Sequence, residues 1–288
     1  GHTRIFHWNE TKWVQLGDDI DGEADWDYSG ISVSLSGDGK LIAIGAPLND
    51  GNGRLSGHVR VYYWTGSSWV QRGNDIDGEA INDESGSSIS LSRDGSVIAI
   101  GAPFNDDNGD NSGHVRVYHW SDSAWVKRGE DIDGESIKDT SGYSISLSEN
   151  GSFVAIGAEA NAGNGVWSGH VRVYQWIDSA WKQLGSDIDS EAISDLSGSS
   201  VSLSADGSRV AIGAPGNQGN GEFSGHTRVF DLTQFNCEGL ALLLGWPNSA
   251  SDSIGGGVSI SGNGNGCSSV SDILASAPYN RIDKQTLP

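Results

Sequence analysis

Twelve carboxylates recur at fixed spacing, and they are the residues most suited to chemistry. They are Asp19, Asp21 and Glu23; Asp75, Asp77 and Glu79; Asp131, Asp133 and Glu135; and Asp187, Asp189 and Glu191. Three copies read Asp-Ile-Asp-Gly-Glu, and the fourth has Ser190 in the glycine position. Clustered carboxylates with a glycine for the turn suit a hard, oxygen-preferring cation, and Ca²⁺ is the cofactor such a set would take. The pattern lacks the third acidic position and the distal glutamate of an EF-hand loop. Two other roles fit the same residues. The acids can be structural, capping turns through Asx-type bonds or pairing with the recurring His2, His58, His114, His170 and His226 and the recurring Arg4, Arg60, Arg116, Arg172 and Arg228. Alternatively, they form a ligand surface. Recurrence favours the structural role, since a dedicated site seldom needs four copies.

Catalytic signatures are missing. There is no Gly-x-Ser-x-Gly, no His-Glu-x-x-His, and no lone cysteine with a placed histidine. The carboxylates repeat alike, whereas acid–base work needs two carboxyl groups in distinct roles. The expectation is a protein that is not an enzyme.

The elements that must position these acids follow from a repeat. Gly57-His58-Val59-Arg60-Val61-Tyr62-Tyr63-Trp64 recurs, with small changes, from Gly1, Gly113, Gly169 and Gly225, a period of 56 residues. Such a period marks a repeat architecture. Each repeat holds four strand-like runs, as in Val59–Trp64, Ser68–Arg72, Ser87–Ser92 and Val97–Ala102. The Asp94-Gly95 pair between the last two suggests a type I′ hairpin turn. The run Val-Ile-Ala-Ile-Gly-Ala is nearly all apolar, as in a strand covered on both faces. Nothing has the 3.6-residue period of a helix. Five repeats of four strands point to an all-β fold, a β-propeller of four-stranded antiparallel blades. The small Ser-x-Ser-x-Ser run suits the crowded inner strand, and the Trp-rich runs suit the outer strands. Trp8, Trp64, Trp120 and Trp176 share one phase, and Trp13, Trp69, Trp125 and Trp181 another, as wedges between blades would. Trp26 and Trp167 break the register in loops and are the candidates for ligand contact.

The segments Ser85-Gly86, Gly45-Ala46-Pro47, Gly101-Ala102-Pro103 and Gly213-Ala214-Pro215, each followed by a Gly-His strand, carry a family resemblance. The phrase resembles the FG-GAP repeat of integrin α-chain head domains and of secreted microbial and algal proteins. The resemblance implies a blade order in which Ser-x-Ser-x-Ser is strand A, the Gly-Ala-Pro run B, Gly-His-Val-Arg-Val-Tyr C and the Trp-Val-Gln run D. The chain then opens on strand C. Residues 2–17 are expected to join residues 258–278 and close a five-bladed ring, making 1–288 a single propeller domain. A fragment of a larger propeller would show the same strand count. The family's own metal site lies in the A–B loop, which here is too short in four copies. In the fifth, residues 261–272 place Ser and Asn where the family has Asp.

On that blade order the D–A loops, carrying the twelve acids, share a face with the B–C loops and the histidines. Cys267 falls in an A–B loop and Cys237 in the C–D loop of the preceding blade, on the other face. A disulfide Cys237–Cys267 suits that placement, and two free thiols are the alternative. The sequons at Asn9 and Asn150 fall in turns on that same face.

Composition bounds the partners. The 17 basic against 38 acidic side chains give a net charge of −21, which repels nucleic acid and anionic membrane. No apolar run approaches the ~20 residues of a membrane span. The chain has no methionine and opens within a repeat, so it is expected to be a portion of a longer protein with any signal peptide already absent. The expected function is a secreted or cell-surface adhesion or structural module. It would bind extracellular protein or glycan partners, or neighbouring copies of itself, through the D–A/B–C face. A lectin using Trp26 and Trp167 is one alternative, and the accessory propeller of a larger secreted enzyme is another.

Overall fold

The computed structural model describes residues 1–233, of which Gly1–Phe230 form a compact unit. Every named element among the described residues is a strand. The first group is β1 (His2–Thr3), β2 (Phe6–Trp8), β3 (Trp13–Gln15) and β4 (Ile20–Asp21). A first full sheet contains β5 (Ser32–Leu35), β6 (Leu41–Ala46), β7 (His58–Trp64), β8 (Trp69–Gln71) and β9 (Ile76–Asp77). A second contains β10 (Ser88–Leu91), β11 (Val97–Ala102), β12 (His114–Ser121), β13 (Ala124–Lys127) and β14 (Ile132–Asp133). A third contains β15 (Ser144–Leu147), β16 (Phe153–Ala158), β17 (His170–Ile177), β18 (Ala180–Gln183) and β19 (Ile188–Asp189). The last is β20 (Ser200–Leu203), β21 (Arg209–Ala214) and β22 (His226–Asp231). Each full sheet runs A-B-C-D in antiparallel order, β5-β6-β7-β8 in the first. The all-β propeller architecture is therefore present. Ring closure by residues 258–278 lies outside the described residues.

Two local features differ from the sequence expectation. First, the Ile-Asp of each acidic motif is strand and not loop. β9 pairs with the start of β7, with His58 opposite Asp77 and Val59 opposite Ile76, while β8 pairs with its end. The outer strand is thus one strand broken at residues 72–75. Burying Ile76, Ile132 and Ile20 beneath the neighbouring sheet holds the second half in register. Second, the A–B turn is not the type I′ hairpin that Asp94-Gly95 suggests. Only Gly95 is left-handed, at φ 68°. Asp94 Oδ1 instead accepts from Ser92 Oγ at 2.7 Å and from the Ser96 amide at 2.9 Å. This Asx-type bonding needs a longer connection than a two-residue loop.

The core lies between sheets. Ala43, Val59, Val61 and Ile76 of one sheet pack against Leu91, Ile98 and Ile100 of the next. The pattern repeats one sheet on, with Val115, Val117 and Ile132 against Val154 and Ile156. The tryptophans close the outer seam. Trp125 Nε1 donates to the Arg72 carbonyl at 3.0 Å, and the Arg72 guanidinium lies 4.4 Å from the Trp120 ring centre. At the break in the outer strand, Gly73 has φ 83°, and a Cβ there would stand 2.9 Å from Trp120. That residue must be glycine for the next sheet to approach. At the inner edge the serines stitch neighbours together: Ser32 Oγ donates to the Gly86 carbonyl at 2.6 Å, and the Leu91 amide donates to Ser34 Oγ at 3.0 Å. The small residues expected on the inner strand are therefore also its cross-sheet hydrogen-bonding groups.

Candidate functional site

The break in the outer strand brings acids and histidines together across each sheet junction. His58 opens β7, and its neighbour across the ladder is Asp77. Two residues before Asp77, Asp75 turns its Oδ2 to within 3.8 Å of His58 Nδ1. Glu23, in the loop after β4 of the preceding sheet, brings Oε2 to 3.8 Å from the same nitrogen. Glu23, His58 and Asp75 thus form a cluster whose ligand atoms all lie within 4.8 Å of one another. Glu79–His114–Asp131 and Glu135–His170–Asp187 are its counterparts. The cluster mixes two copies of the acidic motif: the glutamate comes from one and the first aspartate from the next. The second aspartates, Asp21, Asp77, Asp133 and Asp189, contribute their backbone. Their carbonyls accept from Arg60, Arg116, Arg172 and Arg228 Nη2 at 2.6–2.7 Å. His2 and Asp19, at 3.9 Å, form a partial copy, and Glu191 with His226 at 3.8 Å another.

Supporting groups fix each carboxylate from one side. Gln71 Nε2 donates to Asp75 Oδ1 at 2.6 Å, and Gln183 Nε2 to Asp187 Oδ1 at 2.7 Å. Arg60 Nη1 stands 3.7 Å from Glu23 Oε1, and Arg172 Nη1 3.8 Å from Glu135 Oε1. The middle copy differs. Lys127 takes the glutamine position and donates to Asp131 Oδ2 at 2.6 Å, and Asp107 Oδ2 stands 3.9 Å from His114 Nδ1.

The histidines are buried, and both nitrogens of His58 and of His114 lack a hydrogen-bond partner. Burial, reinforced by Arg116, pulls the His114 pKa down to about 4 against the opposing pull of Asp131 and Asp107. Burial and then Arg172 lower His170 in the same way. Burial raises Glu135, and Asp187 beside it adds to the rise while Arg172 opposes it. In each cluster two carboxylates thus converge on one buried imidazole.

A second set of acids escaped the sequence reading. Asp27, Asp83, Asp139 and Asp195 are buried in the D–A loops. Asp83 Oδ2 accepts from Asn105 Nδ2 at 3.1 Å and from the Ala80 amide at 3.0 Å. Asn49 with Asp27 and Asn217 with Asp195 repeat the bond. These three pairs tie their B–C loops to the D–A loops that precede the same sheets. Their signal was the 22-residue offset between an Asp and an Asn in every copy.

The remaining candidates are scattered. Trp26 and Trp167 both have positive φ, at 72° and 57°, and both are well exposed, Trp26 to 80%. They belong to different loop types, Trp26 to a D–A loop and Trp167 to a B–C loop. Trp26 lines an open hollow with Gly1, Tyr28 and Ile31. Asn9 and Asn150 are exposed in turns, and each Oδ1 accepts the sequon hydroxyl, from Thr11 at 2.8 Å and Ser152 at 2.6 Å. Cys237, Cys267 and their disulfide lie outside the described residues. The four described A–B turns do not fit the Ca²⁺ cage of the resembling family. Asp38, Asp94 and Asp206 spend an oxygen on serine hydroxyls and turn amides, and Asn150 does the same.

Residues 19–62 and 75–118 each match the family model of the FG-GAP repeat. The chain carries FG-GAP repeats. Each matched FG-GAP segment runs from the acidic motif through strands A and B into strand C, so the glutamate and the histidine of one cluster fall within a single match. No curated protein matches the sequence. Among solved structures, the chain is similar to Kuenenia stuttgartiensis hydrazine synthase, at 14% identity and a TM-score of 0.51. The similarity covers 81% of this chain and 65% of that one. At that identity the likeness concerns the fold alone, and it agrees with repeated four-stranded sheets.

Proposed function

We propose that this FG-GAP propeller is a non-catalytic extracellular adhesion or structural interaction module that engages protein or matrix partners through the D–A/B–C loop face. The observation that carries the reading is a set of large apolar side chains held in solvent on those loops. Trp26, Ile81, Ile137 and Ile193 stand exposed on the D–A loops, and Trp167 and Phe223 on the B–C loops. The loops under them are stiff. The Asn82 amide donates to the Arg54 carbonyl at 2.8 Å and the Glu84 amide to the Leu55 carbonyl at 3.0 Å, and the buried Asp–Asn pairs lock both from beneath. Rigid presentation of apolar side chains lowers the ordering cost of association. The extracellular setting rests on the FG-GAP repeats and on the exposed sequons.

The test is capture of extracellular-matrix and secreted proteins on the immobilised chain. A saturable partner is expected, with affinity falling at least tenfold in the Trp167→Ser, Phe223→Ser double variant. Retention of the partner by that variant would place the contact elsewhere and end this reading. A glycan array runs in parallel. Sugar binding lost in Trp26→Ala would replace the protein-binding reading with the lectin.

A further inference from the structure

The acidic motif suggests an oxygen-only Ca²⁺ site, but its geometry does not build one. The three acids of one motif are not gathered at a point. Each glutamate leaves for the next sheet, where it meets a histidine and the first aspartate of another motif. We infer that Glu23–His58–Asp75 and Glu135–His170–Asp187 are two binding sites for a divalent transition-metal ion of the Zn²⁺ class, one at each of two sheet junctions.

Three observations carry this. The donor set is one imidazole nitrogen and two carboxylates, which suits Zn²⁺ and its neighbours and not an oxygen-seeking ion. His58 is 1% exposed, and its Nδ1 faces both carboxylates without a hydrogen-bond partner. An imidazole buried that deeply gives up its contacts with water, and a metal ion would replace them. Finally, each carboxylate is held by one oxygen and offers the other. Gln71 takes Asp75 Oδ1 and Arg60 faces Glu23 Oε1, while Oδ2 and Oε2 both stand 3.8 Å from the imidazole. The Gln183 and Arg172 arrangement repeats this at the other site. Such outer partners orient the ligands of known metal centres. Ligands at tetrahedral Zn²⁺ stand about 3.4 Å apart, from bond lengths near 2.1 Å. Small rotations of the half-exposed Glu23 and Asp75 side chains therefore close the site, with water filling the fourth position.

The chain contains its own control. At the middle junction the Lys127 ammonium already occupies Asp131 Oδ2. A second cation there would face a fixed positive charge across a few ångströms, so this junction takes no ion even though both His114 nitrogens and Asp131 Oδ1 lack a hydrogen-bond partner. The stoichiometry is two, although three clusters look alike. This assignment is independent of the interaction-module reading.

The experiment is a calorimetric Zn²⁺ titration of the full chain after iodoacetamide treatment to block any free thiol. Two saturable equivalents are expected, undisturbed by millimolar Ca²⁺. Gln71→Lys copies the middle junction into the first site and should remove one equivalent. Gln183→Lys should remove the other, and the double variant both, with the metal-free melting temperature preserved in each. Glu23→Gln, at an exposed position, should weaken one equivalent at least tenfold. Absence of saturable Zn²⁺ binding, displacement by Ca²⁺, or two equivalents surviving in the folded double variant would each overturn the assignment.

Discussion

The two ends of each blade use aspartate to opposite effect. At the A–B end, Asp38, Asp94 and Asp206 spend an oxygen on a serine hydroxyl and a turn amide, and the side chains sit at the surface. At the D–A/B–C end, Asp75 and Asp187 are held by one oxygen while the other faces a buried imidazole, and Asp83 is buried outright. The first arrangement is finished within five residues of chain. The second is assembled from two neighbouring sheets. The aspartates of the turn stabilise a local bend, whereas those of the other end depend on sheet packing.

Three measurements sharpen or break that contrast, beginning with the largest effect. Asn105→Leu removes the donor that Asp83 holds across the B–C and D–A loops. Leaving a buried carboxylate short of a partner should cost about 3 kcal/mol in denaturant unfolding. If it costs no more than a turn substitution, the two ends are equivalent after all.

The next is pH. His114 has a folded pKa of about 4 against an ordinary 6.5, and Arg116, Asp131, Asp107, Lys127 and Glu79 are charged groups around it. A group held neutral by the fold contributes stability in full above the unfolded value and loses it as pH falls toward the folded one. Unfolding free energy should therefore drop between pH 6.5 and about 4, by on the order of 2 kcal/mol, and His114→Gln should flatten that slope. The turn aspartates act in a lower window. Hydrogen bonds from Ser204, and from the Ser208 amide and hydroxyl, hold Asp206 at about 2, and hydrogen bonds to Lys40 and Ser36 lower Asp38. Their contribution is complete above pH 3.8 and is lost as pH falls below it. A single transition covering both windows would argue against two separate classes of acid.

The smallest effect belongs to the turn itself. Asp94→Ala removes bonds to Ser92 and Ser96 and should cost about 1 kcal/mol, with the neighbouring blades unaffected by hydrogen exchange. The same substitution has no counterpart at Asn150, where an uncharged side chain already makes these bonds.

Much of the architecture was legible because its causes are local. The 56-residue period, the strand-like runs and the paired tryptophans at constant phase are all written along the chain. The tryptophan wedges appear as expected, with Trp69, Trp125 and Trp181 donating to the preceding sheet. The acidic motif was harder to read. Its five residues look like one loop and one ligand set, yet Ile76 and Asp77 are strand, and Glu79 belongs to the next junction. The buried Asp27 and Asp83 carry a linear signal in their 22-residue offset from Asn49 and Asn105, but their burial follows only from the packing of the loops around them.

The sequence by itself determined the repeat, the all-β character and the strand-like runs of each blade. Each of these depends on residues close in the chain, through side-chain alternation, turn chemistry and small inner residues. Only the tertiary structure decided which acid meets which histidine. Glu23 and His58 are 35 positions apart and Glu23 and Asp75 are 52, and what joins them is the approach of one sheet to the next. That approach is set by the apolar seam of Ile5, Ile20, Ile42 and Ile44 and by Gly17, the glycine that admits Trp64. Counterpart apolar seams close the next two junctions. A lysine at 127 where 71 and 183 carry glutamine separates two clusters braced by a neutral amide from one that holds an ammonium, and that difference acquires meaning only when the sheets are packed.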